Sequence, residues 1–81
     1  MILQQALAQS HEYARKVVRE GDTVIDATCG NGYDTLFLAG LVGHTGKVYA
    51  FDIQREALGI TRKRLMEKGM IHRCFLIPDG H

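Results

Sequence analysis

The chain has 81 residues, of which 46% are hydrophobic, and its 10 basic residues against 9 acidic ones leave a formal charge of +1. This composition is typical of a globular protein and excludes an intrinsically disordered or low-complexity chain. No apolar run approaches the roughly 18–20 residues that a membrane span needs, and the first residues lack the basic and apolar regions of a secretory signal. The expected location is therefore the cytoplasm, with no membrane partner.

The small size limits how the chain can be stabilised. A chain of this length buries only about 60% of the surface that it exposes when unfolded. Its two cysteines, Cys29 and Cys74, form no Cys-x-x-Cys pair, and its four histidines show no metal-ligand spacing. We therefore expect two buried, reduced thiols and neither a disulfide framework nor a metal site.

The first half of the chain predicts a helix, a strand and a second helix. Apolar residues recur at helical spacing over residues 3–20, and Gly21 is typical of a helix end. Residues 23–28 are rich in β-branched side chains and lie between glycine-containing turns, as in a buried strand. Asp34 is expected to cap a helix that continues to Val42 and ends at Gly43.

The second half continues this alternation. Residues 47–53 predict a strand, residues 55–68 a helix that ends at Gly69, and residues 73–77 a third strand. The Pro-Asp-Gly sequence at 78–80 ends that strand, because proline cannot donate to a ladder and Asp-Gly favours a turn.

The resulting order, helix-β-α-β-α-β, indicates one α/β domain with a parallel sheet. Right-handed crossovers place the three strands side by side in the order 3-2-1, with helices covering the sheet. This is the N-terminal half of a doubly wound, Rossmann-like fold. We expect residues 1–81 to form part of a single domain that is incomplete at its C-terminus and that exposes the open edge of its first strand.

A glycine-rich turn follows the first predicted strand, at the end of the sheet where ligands of such folds bind. Gly30 and Gly32 allow a tight turn and a close approach of a ligand to the backbone, and the next helix begins with free N–H donors. Asp52 lies 20 residues beyond Gly32, at the end of the second predicted strand. Because an acidic side chain there can accept both hydroxyl protons of a ribose, the pattern predicts a nucleoside-bearing cofactor.

The spacing and charge of the turn bear on which cofactor binds. A dinucleotide fingerprint requires a glycine three residues after Gly32, where this chain has Thr35, and the Gly-Lys-Ser/Thr sequence of a P-loop is absent. Asp26 and Asp34 flank the turn with negative charge, which repels a pyrophosphate and suits the ammonium and sulfonium of S-adenosylmethionine. An NAD-type oxidoreductase half-domain stays open as an alternative, because it shares the fold.

The sequence Asp-Ala-Thr-Cys-Gly-Asn-Gly at 26–32 resembles the first motif of class I S-adenosylmethionine-dependent methyltransferases. More closely, residues 21–39, the Phe-Asp-Ile-Gln sequence at 51–54 and the Asp-Gly-His sequence at 79–81 resemble a small bacterial family of rRNA methylases. Members of that family are linked to methylation of the aminomethyl group of a modified wobble uridine in tRNA. Within the motif, Thr28 replaces the first glycine of the general pattern, and Tyr33 stands where histidine is expected.

The resemblance implies roles for nine residues. It places the glycine turn under the methionine end of S-adenosylmethionine, with Asn31 and Asp34 as side-chain contacts and Asp52 on the ribose hydroxyls. Gln54 would lie beside the adenosine, and residues 79–81 would border the adenine. Each residue also has a purely structural interpretation, such as helix capping for Asp34 and Asp52. The implied cofactor-binding residues are Asp26, Thr28, Gly30, Asn31, Gly32, Asp34, Asp52, Gln54 and His81.

Two further features bear on the site and its substrate. His11 falls among apolar residues of the first predicted helix, where packing is a more common role than contact with a cofactor. Arg62, Lys63, Arg64 and Lys68 form a basic cluster, which is typical of a solvated helix face and is also a candidate RNA contact.

The predicted function is methyl transfer from S-adenosylmethionine to RNA, either to the tRNA wobble-uridine aminomethyl group or to rRNA. A non-enzymatic RNA-binding module is the second alternative, and a homodimer stays open. No catalytic residue and no metal is assigned, because the acceptor side of class I methyltransferases is built largely from the fourth strand onward. We therefore expect the 81-residue chain alone to be inactive.

Overall fold

The computed structural model describes residues 3–6 and 11–79, so the predicted contact of His81 lies outside the described residues. The strands are β1 (Leu3–Ala6), β2 (Thr23–Asp26), β3 (Lys47–Phe51) and β4 (Cys74–Ile77). The helices are α1 (His11–Val17), α2 (Tyr33–Val42) and α3 (Arg55–Glu67), and a 3-10 turn spans Ile71–Arg73. Within these ranges, no helix is long and apolar enough to cross a membrane.

The strands form one parallel sheet in the order β1-β2-β3-β4. The predicted arrangement of three neighbouring strands is confirmed for β2, β3 and β4. The prediction of a continuous helix over residues 3–20 is wrong, because residues 3–6 form β1 and the helix begins only at His11.

Backbone pairing explains this difference. The edge of β2 offers a row of N–H and C=O groups, and β1 pairs with it from Leu3 opposite Thr23 to Ala6 opposite Asp26. Pairing that satisfies these groups outweighs the modest helix preference of a Leu-Gln-Gln-Ala segment. The edge that we expected to be exposed is therefore covered by β1.

The helices cover one face of the sheet. Each crossover moves to the next strand in the same direction, and right-handed crossovers of this kind place all three helices on the same side. The burial of alternate strand residues agrees, because Val24, Val48 and Ala50 are fully buried, whereas Ile25, Tyr49 and Phe51 on the other face are partly exposed. On that second face the rings of Tyr49 and Phe75 stack with their centroids 4.9 Å apart.

The helix ends follow glycine positions. Gly43 is the C-cap of α2 with φ 70°, and Gly69 follows α3 with the same φ, so these two predicted helix ends are confirmed. The predicted end at Gly21 is wrong, because α1 ends at Val17. The prediction that Asp34 caps α2 is wrong. Gly32 is the N-cap, with φ 87° and no side-chain hydrogen bond, and Asp34 lies in the first turn.

Leu65 provides a test of the core, because it is fully buried in α3 next to the exposed Met66. We expect Leu65→Ala to lower the free energy of unfolding by about 2–5 kcal/mol, since it removes packed methyl groups and leaves a cavity. Met66→Ala, the matched control, should change it by less than about 0.5 kcal/mol. Chemical denaturation of both variants measures the difference, and equal losses would contradict the placement of this helix face.

Candidate functional site

A cavity of about 690 Å³ lies beyond the carboxyl ends of β2, β3 and β4. This volume is within the range of about 300–1,000 Å³ that is usual for small-molecule sites. Apolar side chains of Ile53, Ala57 and Ile60 form part of its wall. The sequence-predicted residues that line it are Thr28, Gly30, Asn31, Asp52, Gln54 and Asp79.

Asp52 is held in a defined orientation in this cavity. One carboxylate oxygen accepts the Gly30 N–H at 3.1 Å, and the other accepts the Gln54 N–H at 2.9 Å. The side chain is 8% exposed, and its two oxygens have about four acceptor positions in total. Gln54, and not Asp52, is the N-cap of α3. The carboxylate therefore retains acceptor capacity for a pair of ligand hydroxyls.

The turn after β2 depends on two left-handed glycines. Gly30 has φ 53° and Gly32 has φ 87°, and the Gly32 N–H donates to the Cys29 carbonyl at 2.8 Å. A Cβ on Gly32 would lie 2.9 Å from the Cα of Thr61, so α3 approaches too closely for any side chain there. Gly32 therefore shapes the turn without lining the cavity.

Helix α3 holds the carbonyl oxygens of the same turn. The Thr61 hydroxyl donates to the Gly30 carbonyl at 3.2 Å, and the Arg64 Nε–H donates to the Asn31 carbonyl at 2.8 Å. The Arg64 guanidinium also lies 3.9 Å from the ring centroid of Tyr33, the residue found where histidine was expected. Neither α3 contact was predicted from the sequence, and the only local signal is the helical spacing that places Thr61 on the same buried face of α3 as Leu65.

Asp26 lies behind the cavity and does not line it. Its carboxylate is 1% exposed and accepts the Thr35 hydroxyl at 2.6 Å. Burial raises the pKa of this carboxyl above its ordinary value of 3.8, and the nearby charges of Asp34 and Asp52 raise it further. Thr35, which replaces the third glycine of a dinucleotide fingerprint, is thus the buried partner of a motif aspartate.

Asp34 also lies outside the cavity lining, and the structure brings it to His11. The His11 Nε2 lies 2.5 Å from Asp34 Oδ1, although the two residues are 23 positions apart in sequence. The His11 ring stacks on Phe37 with a centroid distance of 3.9 Å and an interplanar angle of 5°. The His11 side chain is 45% exposed, so it is not packed in the core as its apolar neighbours suggested; it stacks on Phe37 and contacts a predicted site residue.

The two thiols are buried and unpaired, as predicted. Burial raises the pKa of Cys74 to about 11 and raises the pKa of Cys29, which receives the Thr61 hydroxyl at 3.4 Å. Neither group is a thiolate at neutral pH, so neither is an activated nucleophile.

Residues 18–79 match the family described as a methyltransferase domain. The chain belongs to this family. The predicted family resemblance and the Rossmann-like fold class are thereby confirmed, and structural neighbours with the same architecture support both.

Three relatives of this methyltransferase domain show how much of a longer protein the chain covers. A chloroplastic tRNA (mnm(5)s(2)U34)-methyltransferase of Arabidopsis thaliana is 46% identical over 75% of the chain and 24% of that protein. A candidate rRNA methylase of Clostridium thermocellum is 53% identical, with a TM-score of 0.88 over 100% of the chain and 44% of that one. A candidate methyltransferase of Streptococcus mutans, solved with S-adenosylhomocysteine, is 43% identical, with a TM-score of 0.78 over 88% and 38%. The chain thus spans less than half the length of each of these relatives.

The buried Asp26 carboxyl makes the stability of this methyltransferase domain depend on pH. Because its folded pKa is raised, its contribution to stability is fully present below 3.8 and is lost as the pH rises through the folded pKa. As the pH rises through the folded pKa, we expect the free energy of unfolding of Asp26→Asn to increase progressively relative to that of the wild type. Urea denaturation at a series of pH values measures this difference. Glu67→Gln, at an exposed position, should show no such trend, and a pH-independent difference for Asp26→Asn would contradict the assignment.

Proposed function

We propose that this chain binds S-adenosylmethionine in the cavity beyond β2, β3 and β4, as the cofactor-binding part of a methyltransferase. The observation that carries the choice of cofactor is the charge of the cavity. Asp52, Glu56 and Asp79 line it, and among the described residues no lysine, arginine or histidine does. A cavity with three carboxylates disfavours the pyrophosphate of a dinucleotide and favours a cationic ligand, which counts against the NAD alternative.

The shape of the site also fits this cofactor. Asp52 would hold the ribose hydroxyls, with Gln54 beside the adenosine and Asp79 near the base. Thr28, Gly30 and Asn31 would line the path toward the sulfonium, and α3 keeps this turn in place through Thr61 and Arg64. Asp26, Gly32 and Asp34 lie outside the cavity lining, and we propose that His81 lies near the adenine.

The chemistry of the proposed reaction requires little more of these residues than binding and orientation. The bound cofactor supplies an electrophilic methyl group for in-line transfer to a nucleophile. The residues described here would orient it and leave the acceptor side to other parts of a complete domain. We therefore propose that residues 1–81 are the cofactor-binding portion of a single domain and do not transfer methyl groups alone.

The relatives suggest RNA as the methyl acceptor. One is a tRNA methyltransferase and another a candidate rRNA methylase, so we propose an RNA substrate, with the aminomethyl group of a tRNA wobble uridine as the first acceptor to test. The exposed basic side chains of Arg62 and Lys63 on α3 favour RNA contact, either in the enzyme or in a non-enzymatic RNA-binding module. Two buried free thiols are consistent with a proposed cytoplasmic location.

Cofactor binding is tested by isothermal titration of the 81-residue chain with S-adenosylhomocysteine and with NAD. We expect S-adenosylhomocysteine to bind, NAD to bind far more weakly, and Asp52→Ala to lower the S-adenosylhomocysteine affinity by about tenfold, because a charge-assisted hydrogen bond to the ribose is lost. Glu67→Gln is the matched acidic control and should bind as the wild type does. Tight NAD binding without S-adenosylhomocysteine binding would refute the proposal.

RNA contact through α3 is tested by replacing Arg62 and Lys63 with alanine. We expect weaker tRNA binding and a slope of log affinity against log salt that is smaller by about 1.5 to 2, because two phosphate contacts are lost. The S-adenosylhomocysteine affinity should not change, since both side chains lie outside the cavity. Unchanged RNA affinity would show that this face is merely solvated. Wild-type RNA binding without cofactor binding would favour the non-enzymatic module.

A further inference from the structure

Tyr33 presents a large aromatic ring to solvent beside the glycine turn. It is the first residue of α2, directly after Gly32, and it is 62% exposed. The Arg64 guanidinium lies 3.9 Å from the centroid of its ring and covers one face. A ring that is covered on one face and still mostly exposed leaves its other face open to solvent. Neither the hydrophobic core nor the lining of the cofactor cavity includes this ring.

The ring of Tyr33 is held in place before any ligand arrives. The Arg64 Nε–H donates to the Asn31 carbonyl at 2.8 Å, so the guanidinium that stacks on the ring is itself anchored to the turn. A cation above an aromatic face is attracted by the electrons of the ring. A planar ligand that stacks on the open face therefore costs little side-chain entropy.

The surface next to this ring is positively charged and continuous with the cofactor cavity. Ile60 and Arg64 lie four residues apart on one face of α3, and Ile60 lines both the cofactor cavity and a groove of about 300 Å³. Lys63 and Arg64 line the same groove, and the one carboxylate there belongs to Glu67. Two cations against one anion favour a polyanionic partner.

An exposed aromatic ring beside lysine and arginine side chains is typical of surfaces that bind single-stranded nucleic acid. The cations contact phosphates, and the ring stacks on a base of any identity, because every base has a π-face. Bases within a duplex are already stacked on both faces, whereas the bases of loops and single strands are free to turn onto such a ring. The surface around Tyr33 therefore fits an unpaired base.

We propose that an unpaired nucleobase of the RNA substrate stacks on the open face of Tyr33, with Arg64 on the opposite face of the ring and Lys63 on the adjacent phosphate. This inference rests on the proposed function, because it assumes that the methyl acceptor is an RNA. It adds a contact that the charge of α3 alone does not predict, and this contact distinguishes an unpaired base from a paired one.

The test compares two RNA strands that differ only in their bases. A short oligouridylate carries bases, whereas an abasic strand of the same length carries only the same phosphates and sugars. Fluorescence anisotropy of each labelled strand, titrated with the 81-residue chain, should show that Tyr33→Ala weakens oligouridylate binding by about tenfold and leaves abasic-strand binding unchanged. The slope of log affinity against log salt should also stay the same, because no phosphate contact is lost.

Two further variants separate the ring from other effects of the substitution. Tyr33→Phe keeps the aromatic face and should bind the oligouridylate as the wild type does. Tyr13→Ala is the matched control, because Tyr13 of α1 is similarly exposed at 52%, and it should bind both strands as the wild type does. The affinity of Tyr33→Ala for S-adenosylhomocysteine should equal that of the wild type, since Tyr33 does not line the cavity.

Three outcomes would overturn the stacking contact. They are wild-type oligouridylate affinity in Tyr33→Ala, equal affinity of the wild type for the two strands, and a parallel loss of S-adenosylhomocysteine affinity in Tyr33→Ala, which would mean that the ring only supports the turn. Binding of the oligouridylate without any binding of S-adenosylhomocysteine to the wild-type chain would instead overturn the proposed cofactor, so the two failures are distinguishable.

Discussion

The Asp52 carboxylate joins the parts of the chain that make the site. The carboxylate accepts one backbone N–H from the turn after β2 and one from the residue that precedes α3. The backbone N–H of Asp52 donates to the Ile77 carbonyl at the end of β4. A nearly buried charge must be hydrogen-bonded, because an unsatisfied carboxylate in such a position costs several kcal/mol. The carboxylate therefore couples the turn after β2 to the start of α3, and the backbone of the same residue adds the end of β4.

The glycine turn is consequently held from two sides. Asp52 binds the N–H of Gly30, whereas Thr61 binds the carbonyl of the same residue, and Arg64 binds the carbonyl of Asn31. The close approach of α3 excludes a side chain at Gly32, so the glycine and the threonine that faces it are required together. The local backbone is thus set by contacts that lie more than twenty residues away in the sequence.

Most elements of the fold were predicted from local sequence patterns. The features that were not predicted depend on contacts between residues distant in sequence. The periodicity of α3, the glycine helix ends and the acidic residue at the end of β3 are all local signals, and each was readable. Strand β1 could not be predicted from a local signal, because a Leu-Gln-Gln-Ala segment favours a helix until a neighbouring strand offers hydrogen-bond partners. The cap at Gly32 and the pairing of His11 with Asp34 depend likewise on residues that only the folded chain brings together.

The contacts that shape the turn lie at the carboxyl edge and on the helix-covered face of the sheet. Asp52 supports the turn from the end of β3, and Thr61 and Arg64 support it from α3, while Thr35 of α2 holds the Asp26 carboxyl behind it. The opposite face presents Tyr49 and Phe75 and makes none of these contacts. Parallel sheets are usually covered on both faces, so the rings on that second face offer an apolar surface for a further layer. The contacts that shape the cavity therefore do not depend on a layer over that second face.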